Sequence, residues 1–172
     1  MTDKTFDNPQ EARQKLWQMI GDIKFAMLTT KGPDGTLRSR PLTTQNGSED
    51  EGSRVWFFIS ASSELAQELR QDPQVNLAYS EPADDVYVSV SGTAHAVDDP
   101  QKKQQLWSPI VGAWFPEGVG DPDVMLLAVE ISDAEYWEAR HSKMVQLVRM
   151  AAASVTGNPP SDMTEHRRLN VS

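Results

Sequence analysis

At 172 residues the chain suits one domain, since domains commonly run to roughly 100–200 residues and one of this size buries about 70% of its unfolded surface. It has no cysteine, which excludes disulfides, thiolate metal sites and a cysteine nucleophile and makes a cytoplasmic location the simplest expectation. A formal net charge of -9 opposes nucleic acid and anionic lipid, no apolar run follows Met1, and nothing approaches the roughly 18 apolar residues of a membrane span.

Asn8-Pro9-Gln10-Glu11 reads as a helix start, with asparagine as cap, proline at the first helical position and Glu11 placed to reach back. Ala12, Leu16, Met19, Ile20 and Ile23 recur at helical spacing, with Gly21 near the stop. A strand over Ile23–Thr30, a tight turn at Gly32-Pro33-Asp34-Gly35 and a returning strand over Thr36–Gln45 form a hairpin. The acidic run Asn46–Ser53 is a loop, and the apolar strand Arg54–Ser60 then runs into Ser62 and Ser63 at the start of another helix. Leu65, Ala66 and Leu69 give that helix its apolar face, and Asp72-Pro73 ends it.

Two more strands follow, Gln74–Ser80 and Asp85–Val97. In the second, Val86, Val88, Val90, Gly92, Ala94 and Ala96 alternate onto one face, and Gly92 marks a bulge or sharp bend. Asp99-Pro100 starts a helix carrying Leu106, Trp107, Ile110 and Val111. A proline- and glycine-rich loop holds Trp114, and Val124–Ile131 is a final long strand with Tyr136-Trp137 just beyond. Lys143–Thr156 reads as a last helix stopped by Gly157, and residues 158–172 as a polar C-terminal tail. Without regular strand–helix alternation, this order predicts a mainly β domain over residues 1–157, an antiparallel sheet curled into a six-stranded barrel with peripheral helices.

The strand-to-serine junction is a candidate anion site, because a helix start presents unpaired N–H groups and a positive dipole end. The alternative is that Ser62 or Ser63 merely caps the helix. Arg38 and Arg40, two apart on a strand, share a face and repel unless an anion or carboxylate lies between them, with Glu49 or Asp50 as candidate surface partners. Trp17 and Trp56 fit core patterns, whereas Trp114 in its loop is a candidate for stacking on a ligand or a second subunit. His95, His141 and His166 form no metal-ligand spacing, and no Gly-x-Gly-x-x-Gly, Walker or nucleophile-elbow motif occurs, so no catalytic acid or base is assigned.

The segments Thr36-Leu37-Arg38-Ser39-Arg40-Pro41-Leu42, Val55-Trp56-Phe57-Phe58-Ile59-Ser60 and Val90-Ser91-Gly92-Thr93-Ala94 occur here in a telling order. Leu106-Trp107-Ser108-Pro109, Trp114-Phe115-Pro116-Glu117-Gly118, Asp121-Pro122-Asp123-Val124 and Glu135-Tyr136-Trp137 follow them. Together they resemble the general stress proteins of the flavin-binding split-barrel superfamily, related to pyridoxamine 5'-phosphate oxidases. The resemblance covers almost the whole chain and implies a six-stranded split barrel, a homodimer, and FMN in clefts between the subunits. It places Ser39, Arg40, Pro41 and Leu42 along the flavin ring and Ile59, Ser60 and Ser63 near the ribityl chain and phosphate. Trp107 and Trp114 would close the cleft, from the other subunit.

One departure stands out: Leu65 occupies the place of a lysine that such proteins aim at the phosphate. Losing one charge-assisted hydrogen bond weakens binding by about 10- to 150-fold. The C-terminal substrate-binding segment of the oxidases is also missing, so pyridoxamine phosphate oxidation is not expected. The resemblance thus leaves two functions: an FMN-binding stress protein, with or without oxidoreductase activity on a small substrate, or a non-enzymatic dimer that has lost tight cofactor binding and serves as a binding module.

Overall fold

The computed structural model of the chain describes residues 9–47, 52–139, 150 and 164–170. Asn8, the loop residues 48–51 and, apart from Met150, the helix expected over Lys143–Thr156 lie outside them. The first helix, α1 (Pro9–Ile23), buries Leu16, Met19 and Ile20, whose spacing puts them on one face, in the main core. It runs through Gly21 and takes in Ile23, which the sequence pattern had shared between the helix and the following strand. Lys24 ends it in the left-handed region (φ 68°), donating its N–H to the Ile20 carbonyl at 2.8 Å.

The hairpin forms as expected from β1 (Phe25–Lys31) and β2 (Leu37–Thr43), with Gly35 at φ 81° in the turn. Then come β3 (Arg54–Ser60), α2 (Glu64–Gln71), β4 (Gln74–Glu81) and β5 (Val86–Val97). The helix expected after Asp99 is in fact two, α3 (Pro100–Leu106) and α4 (Pro109–Trp114), because Pro109 restarts the chain with Ser108 as its cap. Trp114 is therefore the last residue of α4 and not part of the following loop.

The final strand is longer than its apolar run. β6 (Val124–Ala139) spans 16 residues and absorbs Tyr136 and Trp137, and β7 (Thr164–Asn170) forms within the stretch read as a polar tail. The sheet has seven strands where six were expected, all pairings are antiparallel, and the path β2-β1-β4-β5-β6-β3 does not close. Its split-barrel character lies in that opening. β2 and β3, the two ends of the path, meet where the Gln45 N–H donates to the Trp56 carbonyl at 2.9 Å and Asn46 bridges Arg54 and Trp56.

β3 is buried on both faces, which explains its unbroken apolar run. Val55, Phe57 and Ile59 enter the main core beneath α1 and α2, while Trp56 and Phe58 join Leu106 and Val111 of α3 and α4 in a second core. The sheet bends at Gly92, where a Cβ would lie 2.3 Å from the Glu130 carbonyl oxygen. The pairing shifts between Ser91 and Gly92, leaving Ser132 of β6 as the extra residue. Past that bend the free edge of β6 passes from β3 to β7.

Candidate functional site

Beyond their single meeting point β2 and β3 diverge, and the slot between them is a cavity of about 400 Å³, within the range of small-molecule sites. Arg40, Pro41, Leu42, Ile59, Ser60, Ser63, Leu65 and Trp114, all singled out in the sequence, line this one cavity. Thr43, Gln45, Phe58, Glu64, Val111 and Phe115 complete it. Its walls are mainly apolar. Trp114, 80% exposed, stands at the mouth as part of the same chain.

Ser39 does not line the cavity; its hydroxyl meets that of its cross-strand neighbour Thr29 at 2.7 Å. Trp107 stands behind the wall, edge-on to Phe58 with ring centroids 5.5 Å apart and tilted against Phe115 at 6.4 Å. It supports the aromatic side of the slot without lining it. Pro41 cannot donate to a neighbouring strand, and among the described residues β2 pairs only with β1, so its other edge presents backbone groups to the slot.

Arg38 and Arg40 do share a face, and among the described residues the carboxylates between them come from α2, while Glu49 and Asp50 lie outside the described residues. Glu68, fully buried, accepts from Arg40 Nη1 at 2.7 Å and Nη2 at 3.1 Å, from Arg38 Nη1 at 3.1 Å and from the Thr30 hydroxyl at 2.6 Å. Glu64, four residues earlier and so on the same side of the helix, accepts from Arg38 at 2.7 Å and Arg40 at 3.2 Å. The Arg40 and Thr30 hydrogen bonds, helped by the charges of both arginines, pull the Glu68 carboxyl down to about 2. Glu68 was not legible as a site residue, although two acids four apart on a helix do match two arginines two apart on a strand.

The serine junction divides its work. Ser63 caps α2, accepting from the Ala66 N–H at 3.1 Å and donating to the Ser60 carbonyl at 2.6 Å, so the capping reading holds for this residue. The anion at Ser60 and Ser62 is part of the chain. Asp123 accepts from the Ser60 hydroxyl at 2.5 Å and from the Ser62 N–H at 2.8 Å, and these bonds, that of Ser60 foremost, hold its carboxyl below the usual range. Asp123 is missed by sequence reasoning because only the pairing of Ser60 with Val124 brings the start of β6 to the end of β3. Leu65, only 5% exposed, belongs to the main core as well as to the cavity floor.

The family model for proteins described as pyridoxamine 5'-phosphate oxidase like matches residues 11–161. General stress protein 26 of Bacillus subtilis is 28% identical over 143 residues, covering 81% of this chain and 98% of that protein. The crystal structure of a general stress FMN/FAD binding protein from Xanthomonas citri is 33% identical, covers 77% of this chain and 92% of its own, and superposes with a TM-score of 0.67. A structure described as a general stress protein 26 from Jannaschia sp. CCS1 is 25% identical, covers 94% and 99% of the two chains, and gives a TM-score of 0.73. The open antiparallel barrel and these likenesses together make the chain a member of the general stress proteins, within the pyridoxamine 5'-phosphate oxidase-like, FMN-binding split-barrel superfamily.

Proposed function

We propose that this chain is a cytoplasmic, homodimeric flavin-binding stress protein that seats the ring of FMN in the slot between β2 and β3. The observation that carries the reading is the slot itself: Leu42, Ile59, Val111 and Phe115 offer apolar walls to a planar ring, Trp114 an aromatic face, and the free edge of β2 hydrogen-bonding groups for the ring's polar rim. The Xanthomonas citri relative named as an FMN/FAD binding protein supports the same ligand class. A bound flavin supplies electron transfer, and the chain's part is to orient the ring and shield it from water. Titrating the protein while following flavin absorbance and fluorescence tests this: saturable binding with quenching by Trp114 is expected, and no binding at high micromolar FMN overturns it.

An outward apolar patch supports the dimer. Phe25 and Met27 of β1 are 64% and 43% exposed, Met27 is cross-strand neighbour to Pro41 and Ala78, and Tyr87 of β5 is also exposed. Such a patch on a sheet face is an association surface. The second reading, a binding module without a tightly held cofactor, draws on Leu65, which puts an apolar core residue where the resemblance places a cation.

A further inference from the structure

Resting on the flavin reading above, we propose that this cleft does not select for the phosphate and takes the unphosphorylated flavin, riboflavin, as readily as FMN, because Asp123 already holds the donors a phosphate needs. A serine hydroxyl has a single proton to give. That of Ser60 goes to Asp123 Oδ2 at 2.5 Å, and that of Ser63 goes to the Ser60 carbonyl at 2.6 Å. The Ser62 hydroxyl lies 3.0 Å from the Ser60 oxygen, whose own proton is committed, so Ser62 donates inward, and its N–H is fixed on Asp123 Oδ1 at 2.8 Å. Asp123, an anion of the chain, thus takes the Ser60 hydroxyl and the Ser62 N–H, and Ser63 takes the Ala66 N–H of the α2 start.

Among the described residues, the two arginines of β2 are spent in the same way. Both terminal nitrogens of Arg40 are shared among Glu68, Glu64 and Thr30, and Arg38 is divided among Glu64, Glu68 and Asp34. Two guanidinium groups therefore face three carboxylates before Asp123 is counted. Arg70 gives Nη2 to the Ala61 carbonyl at 3.0 Å and does not line the cavity. A phosphate brought here meets excess negative charge and no uncommitted proton among these hydroxyls. A neutral polyol arm meets the opposite, since the exposed Glu64 carboxylate at the cavity's edge, though bonded to both arginines, keeps lone pairs for hydroxyl donors.

Parallel fluorescence titrations of the full chain with riboflavin and FMN test this. The expected dissociation constants agree within about threefold, whereas a working phosphate clamp favours FMN by about tenfold or more. Asp123→Asn keeps the shape, removes the charge and is expected to tighten FMN about tenfold with riboflavin unchanged. A thermal melt of the variant without ligand checks that it folds, and the wild-type comparison stands without it. FMN binding at least tenfold more tightly than riboflavin to the wild type overturns this proposal alone. Failure of both flavins to bind overturns the flavin reading and this proposal with it.

Discussion

Glu68 shows how much of this site is held by one side chain. Its carboxylate joins a helix to two strands, and with Glu68→Ala the two partly exposed arginines keep only Glu64 between them. Losing hydrogen bonds to a charged group of this kind costs about 1.5–3 kcal/mol, and urea unfolding of Glu68→Ala is expected to fall in that range. Because the folded carboxyl sits at about 2, below its ordinary value of 4.5, this stabilisation is complete above about 4.5 and is lost as the pH falls toward about 2. Wild-type stability measured through that window should decline with a component that Glu68→Gln lacks. The arginines and serines were legible as a polar cluster, but their partners were not. Whether Arg40 meets a ligand or Glu68 depends on α2 crossing the hairpin, and no local pattern states that.

At the level of elements, the register break at Gly92 decides how β6 is used. Gly92→Ala would drive a Cβ into the Glu130 carbonyl 2.3 Å away, and overpacking of this kind costs about 1–3 kcal/mol, readable as a lowered thermal midpoint. A variant that melts like the wild type would show that the two strands slide past one another freely. The glycine announced the irregularity in the sequence, and alternation along β5 gave the buried face of Val88, Val90 and Ala94 correctly. β7 was hidden because its pairing is polar: Arg168 contacts Asp133 and Glu135, His166 stacks on Trp137 with centroids 4.9 Å apart, and among the side chains described in the strand only Leu169 is buried. Those partners are recognisable only once β6 is known to run past Ile131. Likewise Pro109 looked like part of one helix, although its missing N–H lets it start a new one as readily as interrupt the old.

For the whole molecule, the opening between β2 and β3 is what the seven-stranded architecture provides, and it is where function is expected. A closed barrel would have paired these strands and left no slot. The outward patch of Phe25, Met27 and Tyr87 predicts a dimer by light scattering, with Met27→Glu shifting the protein toward monomer by placing a charge on an apolar contact. A monomeric wild type at tens of micromolar would contradict the homodimer. The most direct test of the central claim is a crystal of the protein soaked with riboflavin or FMN. A planar ring is expected in the slot, against Leu42 and Ile59 with Trp114 over its mouth. A flavin bound elsewhere, with this slot occupied by polypeptide, would contradict it.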